Sequence, residues 1–243
     1  YLLIYGKVPT QTELDAYKSK LKSLRDLPTE LKVVLQNIPA SAHPMDVMRT
    51  GTSMLGNLEP EGDFENQLDS INRMIATMAS IVTYWYKYSH EGVDISLIND
   101  EDTIAGHFLH ILHGKPPSEL HKKVMDTSLI LYAEHEFNAS TFTARVCAST
   151  MSDIFSCVVA AIGSLRGPLH GGANEAAMDM IENWKTRDEA KSNILSMLQN
   201  KEKIMGFGHA VYSEVDPRNA VIKEYSKKLS EEFGDSTLYE VSE

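Results

Sequence analysis

Two histidines flanked by glycine carry the clearest chemistry in the chain. His170 stands in GSLRGPLHGGANEAAMDMI, which starts at Gly163, and His209 in KIMGFGHAVYSEVDPRN, which ends at Asn219. After LHGG comes ANEAAMDMIENW, a helix-forming run with apolar positions at Ala176, Ala177, Met180 and Ile181. Asn174 and Glu175 fall in its first turn, where amide and acidic groups suit the positive end of a helix. The spacing therefore predicts His170 just before, or at, a helix N-terminus. Backbone N–H groups there disfavour added positive charge, and a neutral imidazole can donate one hydrogen bond to a developing enolate oxygen. In the second motif Gly206-Phe207-Gly208-His209 predicts a tight turn, with small residues where backbone can approach a ligand. Asp216-Pro217-Arg218 follows at a fixed distance, and a guanidinium there can clasp a carboxylate through two parallel hydrogen bonds.

A third imidazole, His135, stands in YAEHEFNAS at a break between two apolar runs. With Asn138 it can face a pocket and meet a keto acid. Asn138 and Ser140 are equally well placed to cap the helix that follows. Glycine-flanked histidines also occur in ordinary turns. It is the combination of three imidazoles and one arginine that points to a site.

Other histidines read differently. His107, His110 and His113 in HFLHILH suggest metal ligands at first sight. On a helix the first two share a face and the third turns away, and no HExxH or CxxC accompanies them, so packing or a surface role is expected and no metal. GFGH is not GxGxxG and follows no strand pattern, so a dinucleotide-binding fold is not supported. Asn99-Asp100-Glu101-Asp102 reads as a solvated loop and helix cap. Trp85 with Tyr84, Tyr86 and Tyr88 points in several directions at helical spacing, which favours packing over a stacking platform. Cys147 and Cys157, the two cysteines, lie in an apolar segment and read as reduced, buried thiols of a cytoplasmic protein.

The elements that must position these residues are helical. Residues 10–26 open with a Thr cap, and further helices are expected over 28–37, 44–56 with Pro at its first position, 66–89, 103–112, 118–133, 188–200 and 217–232. Residues 140–165 are expected to form one strongly apolar helix, with Phe142, Val146, Met151, Ile154, Phe155, Val158, Val159 and Ile162 in a wide arc buried between helices or across a subunit interface. No alternating run demands a sheet. The fold class is all-α, with a boundary at the glycine-rich turn dividing residues 1–168 from 169–243.

Composition narrows the function. The chain has 243 residues, 42% hydrophobic and 23% charged, as expected of a globular protein with a sizeable core. A formal net charge of −11 excludes nucleic acid as the expected partner. No apolar run reaches the ~20 residues that a membrane span needs. The chain begins at Tyr1 inside an apolar run and stops at Glu243 inside a continuing helical pattern, so it is expected to be an excerpt of a longer one.

LHGGANE, GFGHAVY and DPRN, in this order, resemble the signature segments of the citrate synthase family, and the similarity extends over essentially the whole chain. The resemblance implies a two-domain helical fold with a cleft, a homodimer, and condensation of an acyl-CoA with oxaloacetate followed by thioester hydrolysis. It implies that His170 stabilises the enol of the thioester and that His209 polarises the oxaloacetate carbonyl. His135, Asn138 and Arg218 would hold the oxaloacetate oxygens, and Lys203, Ile204, Met205, Gly206, Phe207 and Gly208 would line the coenzyme A site. No cofactor is expected beyond the coenzyme A thioester, itself a substrate. The family's aspartate base and two further substrate arginines are expected beyond Glu243, so the 243-residue piece alone should be inactive. HPMDVMRTG, YWYKYSHEG and LYAEHEFNASTF are most similar to members that condense propionyl-CoA with oxaloacetate to 2-methylcitrate in bacterial propionate breakdown. Use of acetyl-CoA to make citrate is the alternative. From other classes, a non-catalytic acyl-CoA-binding helical protein stays open, and a metal-dependent hydrolase more distantly.

Overall fold

Capping chemistry sets where the helices start. The computed structural model describes residues 1–208, 212 and 214–243, and among these every regular element is helical. After a single turn, α1 (Leu2–Tyr5), α2 (Gln11–Ser23) opens on a reciprocal box: the Thr10 hydroxyl accepts from the Glu13 N–H, and Glu13 accepts from the Thr10 N–H. α3 (Thr29–Gln36) follows Pro28, and α4 (Pro44–Leu58) has proline at its first position and the His43 ring accepting from the Met45 N–H. α5 (Gln67–Tyr86) runs on into a π-helical turn at Lys87–Glu91. α6 (Ile104–His113) is capped by Thr103, and α7 (Glu119–Tyr132), α8 (Ala139–Ala148) and α9 (Ile154–Leu165) follow. α10 (Gly172–Glu182), α11 (Arg187–Gln199), α12 (Asn219–Phe233) and α13 (Thr237–Ser242) complete the chain.

The single helix expected over 140–165 is two helices. Ser149 and Thr150 turn their hydroxyls back onto the carbonyls of Val146 and Cys147, and Met151 takes a positive φ of 62°. Asp153 then caps α9 through the Ser156 N–H at 2.9 Å. The Glu61 carboxylate accepts from the Ile154 N–H at 2.5 Å, from a segment far away in the sequence. The wide buried arc also divides. Phe155 and Ile162 of α9 are buried, whereas Phe142 and Val146 of α8 and Met151 of the turn are 61%, 52% and 79% exposed.

The chain forms two compact units, residues 1–130 with 134–164, and residues 131–133 with 165–243. The first is organised on α5, which packs against α2, α3, α4 and α6. Its core joins Leu31, Leu35, Val47, Leu55, Ile81, Tyr84, Trp85, Leu97, Ile111 and Phe155. Glycine permits the close approaches: a Cβ at Gly51 would lie 2.4 Å from Ile81 Cγ2, and one at Gly56 2.7 Å from the Phe155 ring. Arg73 ties chain segments together, with two hydrogen bonds of 2.7 Å to Glu59 and others to the carbonyls of Leu24 and Asp26. Tyr84 and Trp85 are core residues and Tyr86 and Tyr88 surface ones, which is packing as the spacing predicts. The second unit has a smaller core of Trp184, Ala190 and Val241, flanked by Met180, Ile181, Ile194 and Met197, with α13 packed on α10, α11 and α12.

Candidate active site

His170 stands immediately before Gly171, the N-cap of α10, as the glycine pattern predicts. Its N–H donates to the Gly167 carbonyl at 2.9 Å and its own carbonyl accepts from Ala173 at 3.0 Å, so the backbone on both sides of the ring is fixed. The glycines are required by the turn itself. A Cβ at Gly171 would lie 2.6 Å from the Leu165 carbonyl oxygen, and one at Gly172 3.0 Å from that of Gly167. The half-buried His170 thus sits at the positive end of the α10 dipole, with Glu175 in the first turn.

The Lys203–Gly208 segment belongs to the same unit. Gly206 and Gly208 have φ of 92° and 78°, backbone that side chains with a Cβ rarely adopt. A Cβ at Gly206 would meet that of Ala177 at 3.6 Å, so this turn lies against α10, the helix that His170 precedes. Ile204 and Met205 are half-buried, while Lys203 and Phe207 are exposed. His209 lies outside the described residues.

Arg218 is held on two sides. Asp216 accepts from its Nε at 3.0 and 3.2 Å, from its Nη2 at 2.7 Å and from its backbone N–H at 2.9 Å. The guanidinium lies over the Tyr132 ring, 5.2 Å from its centre. The hydrogen bonds and charge of Asp216 hold the Arg218 pKa above its already high ordinary value. Sequence reasoning picked out Arg218 but missed both partners. Asp216 was legible as an acid two residues before a base across a proline; Tyr132 had no local signal.

His135 and Asn138 lie in the short connection between α7 and α8, in the first unit. His135 is half-buried and Glu136, next to it, has φ 53°. Asn138 caps α8: its Oδ1 accepts from the Thr141 N–H at 3.0 Å and the Ser140 hydroxyl at 2.7 Å. His170, Arg218 and the Gly206 turn therefore share one unit, and His135 follows Tyr132 by three positions in the chain.

The remaining candidates are structural. His107 is buried, with Nδ1 2.9 Å from Asn99 Nδ2 and Nε2 3.1 Å from Ser80 Oγ, and burial beside Arg25 lowers its pKa to about 4. Burial and the neighbouring Cys147 thiol push Cys157 up to about 11, far from an activated nucleophile. Among the described residues no group of three or more His, Cys, Asp or Glu is arranged to hold a metal, and no helix is long and apolar enough to cross a membrane.

The chain is 63% identical over 242 residues to a 2-methylcitrate synthase of Shewanella oneidensis, covering 100% of this chain and 64% of that protein. It is 41% identical to a citrate synthase of Deinococcus radiodurans, over 99% of this chain and 64% of the relative. Among solved structures it superposes with a TM-score of 0.91 and 30% identity on the Thermoplasma acidophilum citrate synthase in ternary complex with carboxymethyl coenzyme A and oxaloacetate, covering 99% of this chain and 64% of that one. The chain thus spans a little under two thirds of the length of these relatives. Residues 1–243 match the family described as citrate synthase, C-terminal domain, and the chain belongs to the citrate synthase family.

Proposed function

We propose that the whole protein to which this chain belongs condenses propionyl-CoA with oxaloacetate and water to give 2-methylcitrate and coenzyme A. One observation carries the choice of acyl group: identity is 63% to a 2-methylcitrate synthase and 41% and 40% to citrate synthases, each over essentially the full chain. A carboxylate base removes the α-proton of the thioester. The charge that develops on the thioester oxygen is met by a hydrogen bond from His170, fixed at the positive end of α10. The enol carbon then attacks the oxaloacetate keto carbon, and His209 polarises and protonates the keto oxygen. Water cleaves the resulting thioester, with coenzyme A leaving as the thiol. Arg218, His135 and Asn138 hold oxaloacetate, and the stretch Lys203 to Gly208 lines the coenzyme A site, partly through backbone groups. The division of a large domain from a small one near residue 168 belongs to the same reading.

Two further features complete it. The exposed apolar side chains of Phe142 and Val146 on α8 suit a contact with a second copy, in a homodimer. The setting is the cytoplasm, in propionate breakdown.

The test is oxaloacetate-dependent coenzyme A release by the full-length protein with each acyl-CoA. One methylene in an apolar pocket is worth about 1–3 kcal/mol, so kcat/KM for propionyl-CoA should exceed that for acetyl-CoA by roughly 10- to 200-fold. A preference for acetyl-CoA would reassign the protein as a citrate synthase. Binding of acyl-CoA without turnover of either would make it a non-catalytic binding protein.

A further inference from the structure

The ring of Tyr132 closes the α7 helix, 86 positions before Arg218, and it does no work in either hydrophobic core. The residue is 54% exposed. Even so the Arg218 guanidinium carbon lies 5.2 Å from the ring centre, inside the roughly 6 Å within which a cation is attracted to an aromatic face. Asp216 holds the same guanidinium in its own plane, through Nε and Nη2. Oδ1 of Asp216 also accepts the Arg218 backbone N–H, and Pro217 between them restricts the chain. A flexible side chain is thereby fixed by an edge clamp and a face clamp from separate segments.

We infer that Tyr132 is a positioning residue for oxaloacetate binding: its ring is the platform that, with Asp216, sets the Arg218 guanidinium in place before the substrate carboxylate arrives. This rests on the reading of Arg218 as an oxaloacetate ligand. The ring supplies orientation and the hydroxyl supplies nothing, because the contact is to the aromatic face. Pre-ordering the guanidinium lowers the cost of binding, so its loss falls on oxaloacetate affinity and not on the chemical step.

The experiment uses the full-length protein with Tyr132→Phe, Tyr132→Leu and Tyr132→Gln, the last a second ring-free variant for an exposed position. Oxaloacetate KM, acyl-CoA KM and kcat are measured separately, and oxaloacetate binding is measured by calorimetry. Tyr132→Phe should stay within about twofold of the parent, while both ring-free variants raise oxaloacetate KM roughly 3- to 20-fold with kcat and acyl-CoA KM little changed. An unchanged oxaloacetate KM in the ring-free variants, a rise confined to acyl-CoA KM, or equal loss in Tyr132→Phe overturns the inference. Arg218→Leu separates the two levels: if it leaves oxaloacetate binding intact, the assignment of Arg218 itself fails, and the role of Tyr132 with it.

Discussion

The Nε2 of His107 lies 3.1 Å from the Ser80 hydroxyl oxygen, and this buried pair ties α6 to α5. The hydrogen bonds around it assign the proton. Asn99 Oδ1 accepts from the Glu101 N–H at 3.1 Å, so its Nδ2 donates to His107 Nδ1. Nε2–H then donates to Ser80, whose own hydroxyl donates to the Arg25 carbonyl at 2.7 Å. Arg25, itself buried, continues the chain to the carbonyls of Glu101 and Thr103. A neutral imidazole completes every link, and a protonated one would place a proton against Asn99 Nδ2.

The first prediction is a specific acid sensitivity. With its pKa lowered from an ordinary 6.5 to about 4, His107 takes up a proton more readily in the unfolded chain. Its contribution to stability is fully present above pH 6.5 and is lost as pH falls through 4, by up to roughly 3 kcal/mol. His107→Gln does not titrate there. The stability advantage of the parent over this variant, from denaturant melts, should shrink steadily between pH 6.5 and 4. A gap independent of pH would show that the buried imidazole is not the titrating group.

Gly206 and Gly208 provide the second. Space is not the constraint, since a Cβ at Gly206 would make only an ordinary contact at 3.6 Å and one at Gly208 would meet nothing. The constraint is torsional, with φ of 92° and 78°. Alanine at either position should cost about 1–3 kcal/mol locally, read as a raised acyl-CoA KM with little change in global melting. Variants that bind acyl-CoA like the parent would remove the backbone of this turn from the coenzyme A site.

A third concerns packing. Gly51→Ala would place its Cβ 2.4 Å from Ile81 Cγ2, on a side chain with no exposure. Overpacking of this kind typically costs 1–3 kcal/mol, roughly, and should lower the melting temperature. Gly51→Ala with Ile81→Ala should be more stable than the sum of the two single changes, because the smaller residue vacates the space. Strict additivity in the thermal melts would argue that α4 simply shifts away from α5.

Local chemistry was legible and distant chemistry was not. The Thr10–Glu13 box, the proline start of α4 and the placing of His170 before α10 each depend on residues within a few positions of one another. The break between α8 and α9 was hidden because the apolar pattern runs through it. Ser149, Thr150 and Asp153 supply competing local hydrogen bonds, but the Glu61 contact to Ile154 comes from another part of the chain. The same limit applies to the site: Asp216 beside Arg218 was readable, and Tyr132 beneath it was not.

The measurement closest to the central claim is exchange of the propionyl-CoA α-proton with deuterated solvent, in the presence of an unreactive oxaloacetate analogue, comparing the full-length protein with its His170→Ala variant. If His170 stabilises the enol, the variant should fold and bind the analogue normally while exchange falls by about 10²- to 10³-fold, the loss typical of one oxyanion donor. Exchange in the variant within a few-fold of the parent would contradict the account.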